Sequence, residues 1–223
     1  MRLWMITIPG SVVVLFSAAL VYNMAGGAPK PYPSPVLSSR HLVTPAMEQT
    51  ALAMMKNPKL QFEGLDQKGQ KFDLSEALKH GPTFVYFIMD GCPCSTDVEP
   101  MFHRLYEQLG HKVNFVGIIN KGVDRAKHWA TEQNTPYPVL ADPDQKIIET
   151  YGATNSAFSA LVSQKGEIVK VWPGYSRDIF TEMNAKLSAA IDAPVKPFDL
   201  GALPTVKTAG CAFEKPGKPA SQK

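Results

Sequence analysis

Thr83-Phe84-Val85-Tyr86-Phe87-Ile88-Met89, followed at once by Asp90-Gly91-Cys92-Pro93-Cys94-Ser95, is the stretch on which the fold turns. Its first half is a continuous apolar, aromatic and β-branched run, the pattern of a strand buried on both faces of a sheet. Its second half opens a helix: Val98, Met101, Phe102, Leu105, Tyr106 and Leu109 fall on one face, His103, Arg104, Glu107 and Gln108 lie opposite, and Gly110 stops it. Cys92 and Cys94 therefore sit where a central strand hands over to a long helix, the edge at which open α/β sheets place their sites. With Pro93 as the first helical residue, Cys92 is an exposed N-cap whose sulfur is expected to face the unpaired N–H groups of the first turn. Those donors and the helix dipole favour a thiolate, which makes Cys92 the expected nucleophile. Asp90 and Asp97 oppose this through like charge.

The alternation of strand and helix periods extends on both sides of the junction. Upstream, Phe62 to Leu65 and Lys71 to Leu74 flank Asp66-Gln67-Lys68-Gly69, a hairpin signal, and Ser75 can cap a short helix ending at Gly81. Downstream, Val113 to Ile119 reads as a second buried strand, Val123 to Gln133 as a helix, Pro138 to Leu140 as a short extended piece, and Gln145 to Tyr151 as a helical turn or two. Phe158 to Val162 and Ile168 to Trp172, joined through Gln164-Lys165-Gly166, form a hairpin. Ser176 then starts a helix with Phe180, Met183, Leu187 and Ile191 on its apolar side. The predicted class is α/β, a mixed central sheet with helices on both faces.

The ends of the chain read differently. No charged residue lies between Arg2 and Lys30, and Leu3 to Tyr22 is mainly apolar, matching the about 20 residues of a bilayer-spanning helix. Residues 1–25 are expected to be a transmembrane anchor or a signal peptide, with small residues for a peptidase at Ala25-Gly26-Gly27-Ala28. Arg2 predicts a cytoplasmic N-terminus and an extracytoplasmic (periplasmic or outer) domain. Residues 26–43 form a Pro-rich stalk, in which Ala28-Pro29-Lys30-Pro31-Tyr32-Pro33-Ser34-Pro35 favours extended polyproline. Residues 44–192 form the domain, entered by Thr44-Pro45 as helix cap and first residue, with Met47, Ala51, Met54 and Met55 at helical spacing. Residues 193–223 form a Pro/Lys-rich tail that carries Cys211. At 223 residues the chain supports one core plus appendages. Its net charge of +3 is scattered without interleaved aromatics, which excludes nucleic acid as a partner.

From about Phe62 to Ile191 the order of elements resembles the thioredoxin-like superfamily, and within it the redoxin or alkyl hydroperoxide reductase/thiol-specific antioxidant (AhpC/TSA) type. Two features bear the resemblance: the strand-Cys-Pro-Cys-helix junction, and Pro100 eight residues after Cys92, where thioredoxin helices carry a kinking proline. Tyr137-Pro138-Val139-Leu140-Ala141-Asp142-Pro143, followed by Tyr151-Gly152, resembles the extra strand-helix insert of the redoxin branch. The resemblance implies a thiol-disulfide oxidoreductase acting on protein thiols or disulfides through Cys92 and Cys94, with no cofactor and no metal. The chain departs from the family's Cys-x-x-Cys, because Ser95 holds the second position and the partner thiol is Cys94. With Pro93 fixing φ between them, a Cys92–Cys94 bridge is expected to be strained. The family's cis-proline position falls on Ala157 and its buried acid on Tyr86.

Other readings use the same residues. Peroxiredoxins resemble the chain in topology and imply peroxide as substrate, but their signature threonine falls on Met89, and no arginine lies in Asn155 to Val162. Sco-type copper chaperones resemble it at Ser156-Ala157-Phe158, with Asn155 where they carry a histidine; two thiolates could still take Cu(I). A structural reading pairs one site cysteine with Cys211 and leaves the other free. His80, His103, His111 and His128 read as solvated, and Ser95 and Thr96 as helix-start residues. Ala209-Gly210-Cys211-Ala212-Phe213 is an apolar island in the tail, from which Cys211 is expected to resolve an oxidised Cys92 or Cys94 while Phe213 docks on the domain.

Overall fold

The computed structural model describes residues 41–56 and 61–214. The expected anchor and most of the stalk lie outside the described residues. Among the described residues no helix is long and apolar enough to cross a membrane.

The apolar run becomes β3 (Thr83–Ile88), buried at every position and central in a five-stranded sheet. On one side it pairs in parallel with β4 (Asn114–Ile119), which pairs in parallel with β5 (Val139–Ala141). On the other side lie β6 (Ser159–Val162) and β7 (Ile168–Trp172), both antiparallel to their neighbours. Side chains of β3 alternate between two cores, as the strand period requires. Phe84, Tyr86 and Ile88 pack with α3 (Pro93–Leu109), α4 (Val123–Gln133) and α6 (Arg177–Ala189). Val85 and Phe87 pack with α1 (Pro45–Met54), α2 (Leu74–His80) and α5 (Lys146–Thr150). Tyr86 stands opposite Gly117 on β4, where a Cβ would come within 3.0 Å of the tyrosine ring. Glycine is what makes room for that ring.

The hairpin forms as expected from β1 (Glu63–Leu65) and β2 (Lys71–Asp73). The cap of α2 is Asp73 rather than Ser75: its carboxylate accepts from the Ser75 N–H at 2.8 Å and the Ser75 hydroxyl at 2.6 Å. An acidic side chain suits that position better, since it meets the positive end of the helix as well as an open N–H. Thr44 caps α1, and Ala51 and Met54 are its buried positions.

The tail is strapped to the domain as far as Glu214. The Arg177 guanidinium donates to the Leu203 carbonyl at 3.1 Å, and Tyr175 and Thr208 exchange main-chain bonds of 2.7 and 2.9 Å. Thr208 also bridges to Leu42, so residues 41–43 and the tail lie side by side. Leu203, Thr208 and Ala209 are buried, and Phe213 packs on the core beside α1 and α5.

Candidate active site

β3 ends at Ile88, and a turn through Gly91, at φ 78°, leads into α3. Gly91 is one of the positions where a left-handed backbone requires glycine. Ser95 Oγ accepts the Met89 N–H at 3.2 Å, and Asn120 Oδ1 accepts the Asp90 N–H at 2.9 Å, which pins the turn to α3 and β4. Asp90 faces Arg125 of α4, with oxygen–nitrogen distances of 2.6 and 3.2 Å. The Asp90 part of the like charge that the sequence sets against a Cys92 thiolate is thus neutralised locally.

Cys92 is the N-cap and Pro93 the first helical residue. Its sulfur, however, takes no capping bond from the helix, and at 2% exposure it is buried rather than an open cap. The donors come from elsewhere. Ser156 Oγ donates to Cys92 Sγ at 3.2 Å, the Cys211 N–H donates at 3.2 Å, and Cys211 Sγ lies 2.7 Å away. The Cys94 thiol is the strongest of these donors; with the Cys211 thiol, Ser156 and the Cys211 N–H, it outweighs burial and pulls the Cys92 thiol down to about 4. Cys94 moves the opposite way. Its hydrogen bond to Cys92, its burial and the Cys92 charge hold it protonated far above the ordinary thiol range. Tyr175 is hydrogen-bonded to Cys94 and pairs through its main chain with Thr208, linking the thiol pair to the tail. The arrangement is one buried thiolate held by a thiol that does not ionise and by two groups of the tail residue Cys211.

The tail reaches the site as a strand. Asn155 and Ala212 form an antiparallel bridge. Ser156 N–H donates to the Cys211 carbonyl at 2.9 Å, Gly210 N–H to the Ser156 carbonyl at 2.9 Å and Phe213 N–H to the Thr154 carbonyl at 3.0 Å. The Asn155 side-chain amide donates to the Gly210 carbonyl at 3.0 Å. Cys211, 119 residues from Cys92, therefore meets Cys92 and Cys94 at the end of β3, and none of the three is in a disulfide.

Residues 55–180 match the sequence pattern of the AhpC/TSA family, more than half of the chain. The chain belongs to the AhpC/TSA family. It is 30% identical over 112 residues to the thiol-disulfide oxidoreductase ResA of Bacillus thuringiensis (strain Al Hakam) and to that of Bacillus anthracis, a match over 49% of this chain. The match spans 64% of the length of these relatives. Among solved structures, an uncharacterized conserved protein from Geobacillus kaustophilus superposes with a TM-score of 0.57 at 20% identity, over 73% of this chain and 93% of that one. DsbF of MTB, in its mixed oxidized and reduced forms, superposes with a TM-score of 0.52 at 22% identity, over 59% of this chain and 96% of that one. The fold is thioredoxin-like.

Within the AhpC/TSA frame two family positions are filled in an unusual way. Ala157, at the expected cis-proline position, has a left-handed backbone with φ 59°. Such a conformation costs a residue with a Cβ about 1–2 kcal/mol, and it lies directly after Ser156, whose hydroxyl reaches Cys92. Tyr86, at the expected buried-acid position, donates its hydroxyl to Glu99 of α3 at 2.6 Å. Glu99 is fully buried and also receives Tyr137 Oη at 3.1 Å and Thr135 Oγ at 2.8 Å, with His103 Nε2 at 3.2 Å. The buried carboxylate is supplied by α3 rather than by β3. His103 is consequently not the solvated residue the polar face suggests; its side chain is 16% exposed and its ring stands edge-on to Tyr137. Sequence reading missed Glu99, Ser156 and Tyr175 as site neighbours. For Glu99 a signal existed, since it lies one turn from both Ser95 and Phe102 on the buried side of α3.

The thiolate assignment has a direct test. A folded value below the ordinary thiol range means that the ultraviolet thiolate absorbance persists at neutral pH and disappears only as pH falls toward about 4. Cys94→Ala removes the largest donor, so the absorbance midpoint is expected to move upward by at least about one unit. An unmoved midpoint would show that Cys94 does not hold the charge.

Proposed function

We propose that the chain is a membrane-tethered, extracytoplasmic thiol-disulfide oxidoreductase in which Cys92 is the nucleophile, Cys94 the thiol that keeps it ionised, and Cys211 the resolving thiol. The observation that carries this reading is the 2.7 Å approach of Cys211 Sγ to Cys92 Sγ, with the Cys211 N–H on the same sulfur. A covalent bridge of about 2.05 Å needs only a small further approach. Tethering rests on the apolar run Leu3 to Tyr22.

The chemistry balances with a protein disulfide as oxidant. The Cys92 thiolate attacks one sulfur of that disulfide, the substrate S–S bond breaks, and the departing thiolate takes a proton from solvent. Cys211, losing its proton, then attacks Cys92 Sγ and expels the second substrate thiol. The substrate gains two electrons and the chain is left with a Cys92–Cys211 disulfide. Run in reverse, the same steps oxidise a dithiol. Cys94 stays a thiol throughout, which fits its suppressed ionisation and the strain expected of a bridge across Pro93.

Oxidation with one equivalent of oxidised glutathione, followed by peptide mapping, tests the reading. The expected product is a Cys92–Cys211 bridge reversed by a dithiol, and Cys211→Ser is expected to stop at a glutathione adduct on Cys92. A Cys92–Cys94 bridge in the unaltered chain, or unchanged turnover in Cys211→Ser, would remove the resolving role.

A further inference from the structure

The tail segment Gly210 to Phe213 is held by a run of main-chain bonds, beside the packing of the Phe213 side chain on the core. The Gly210 N–H and carbonyl, the Cys211 N–H and carbonyl and the Phe213 N–H all have partners on Cys92 or on Thr154 to Ser156. Bonds of this kind are blind to sequence, and an extended peptide adds to a sheet edge by the same means. Two features of the register are not blind. The cysteine must stand at the position of Cys211, where its sulfur meets Cys92. The residue before it must lack a side chain: a Cβ at Gly210 would lie 1.9 Å from Ser156 Oγ and 2.5 Å from the Ser156 carbonyl oxygen. The hydroxyl can rotate away, but the carbonyl cannot, because it accepts the Gly210 N–H and continues into the left-handed turn at Ala157.

We infer that the edge Thr154 to Ser156 is a docking strand for extended protein segments with glycine immediately before the reacting cysteine, and that Gly210-Cys211 is the resident copy of that ligand. The inference rests on the exchange chemistry proposed above and names its substrate class. The partner is a protein disulfide, one half of which is a Gly-Cys strand. That strand displaces the tail, its sulfur forms the mixed disulfide with Cys92, and its former partner leaves as a thiol. The tail then returns, Cys211 attacks Cys92 Sγ, and the Gly-Cys thiol is expelled. Ser156 acts as a specificity-determining residue through its main-chain oxygen.

The test uses the full chain and two synthetic octapeptides. One repeats the tail, Lys-Thr-Ala-Gly-Cys-Ala-Phe-Glu, and the other has alanine in place of its glycine. As disulfides with a thiopyridyl leaving group, they are mixed with the unaltered protein, and the rate of mixed-disulfide formation at Cys92 is followed. The glycine peptide is expected to react at least about tenfold faster, the cost of losing a main-chain bond. Docking is read separately from chemistry. Peptides with serine for cysteine are titrated into Gly210→Ala, whose own tail should leave the edge, while the Asn155 and Ser156 amide resonances are monitored. Saturable shifts are expected with the glycine peptide and about tenfold weaker binding with the alanine peptide. Equal rates in the first assay together with equal or absent binding in the second overturn the inference. Glycine-selective binding without exchange at Cys92 keeps the docking strand and overturns the exchange chemistry instead.

Discussion

Cys92→Ser is expected to abolish thiol-disulfide exchange, with a loss of at least about 1000-fold, while leaving the fold intact. A serine oxygen cannot accept or return a sulfur, and neither neighbouring thiol is set up to take over. Cys94 is held protonated by its hydrogen bond to Cys92, by burial and by the Cys92 charge, and burial still opposes its ionisation when Cys92 is replaced. Cys211 would lose the sulfur it is placed against. The fold should survive because serine is a favoured N-cap and is smaller than the buried thiol it replaces. Turnover of a fluorogenic peptide disulfide, with circular dichroism melting alongside, checks both halves. Exchange within about tenfold of the unaltered chain would move the nucleophile to another thiol.

The second large effect concerns stability. Glu99→Ala is expected to cost about 3–5 kcal/mol, because it strips a buried carboxylate from partners that stay behind. Tyr86 and Tyr137 are buried, and their hydroxyls, with that of Thr135, converge on Glu99. Without it they face a cavity of their own making. Glu99→Gln keeps an acceptor oxygen and much of the volume, so about 1–2 kcal/mol is expected there. Urea unfolding of the two variants reads the difference. A Glu99→Ala loss no larger than that of Glu99→Gln would mean that water replaces the carboxylate at no cost.

The handover from β3 to α3 was legible because its signals are local. A run buried on both faces, Gly91 at the turn, Pro93 at the first helical position and the spacing Val98, Met101, Phe102 and Leu105 all act within a few residues. The cap at Asp73 was missed for the same kind of reason, since Asp73 and Ser75 are both good caps two residues apart and only the packed helix selects between them. What keeps Cys92 ionised was not legible. The sequence suggests the helix dipole, whereas the donors are Cys94, Ser156 and Cys211, the last 119 residues away. Main-chain pairing over that separation leaves no periodic trace, and a Pro-rich tail composition argues against any pairing at all. The small residues of Ala209-Gly210-Cys211 were visible as an oddity; only the clearance at Ser156 gives the glycine a reason.

The stitching of residues 41–43 to the tail has a consequence in time. The Ala209 N–H donates to the His41 carbonyl at 2.7 Å and the Val43 N–H to the Lys207 carbonyl at 3.0 Å, contacts among the most distant in sequence that the domain makes. Contacts of such separation pay the largest loop-closure entropy and form last. During synthesis the sheet and α3 can therefore assemble while residues 207–214 have not yet been added, and for that interval the thiolate of Cys92 has lost two of its donors and its cover. A nascent chain, or one clipped before residue 207, should accordingly be more open to oxidation than one whose tail is docked, which makes the tail a guard over the sulfur as well as a partner to it.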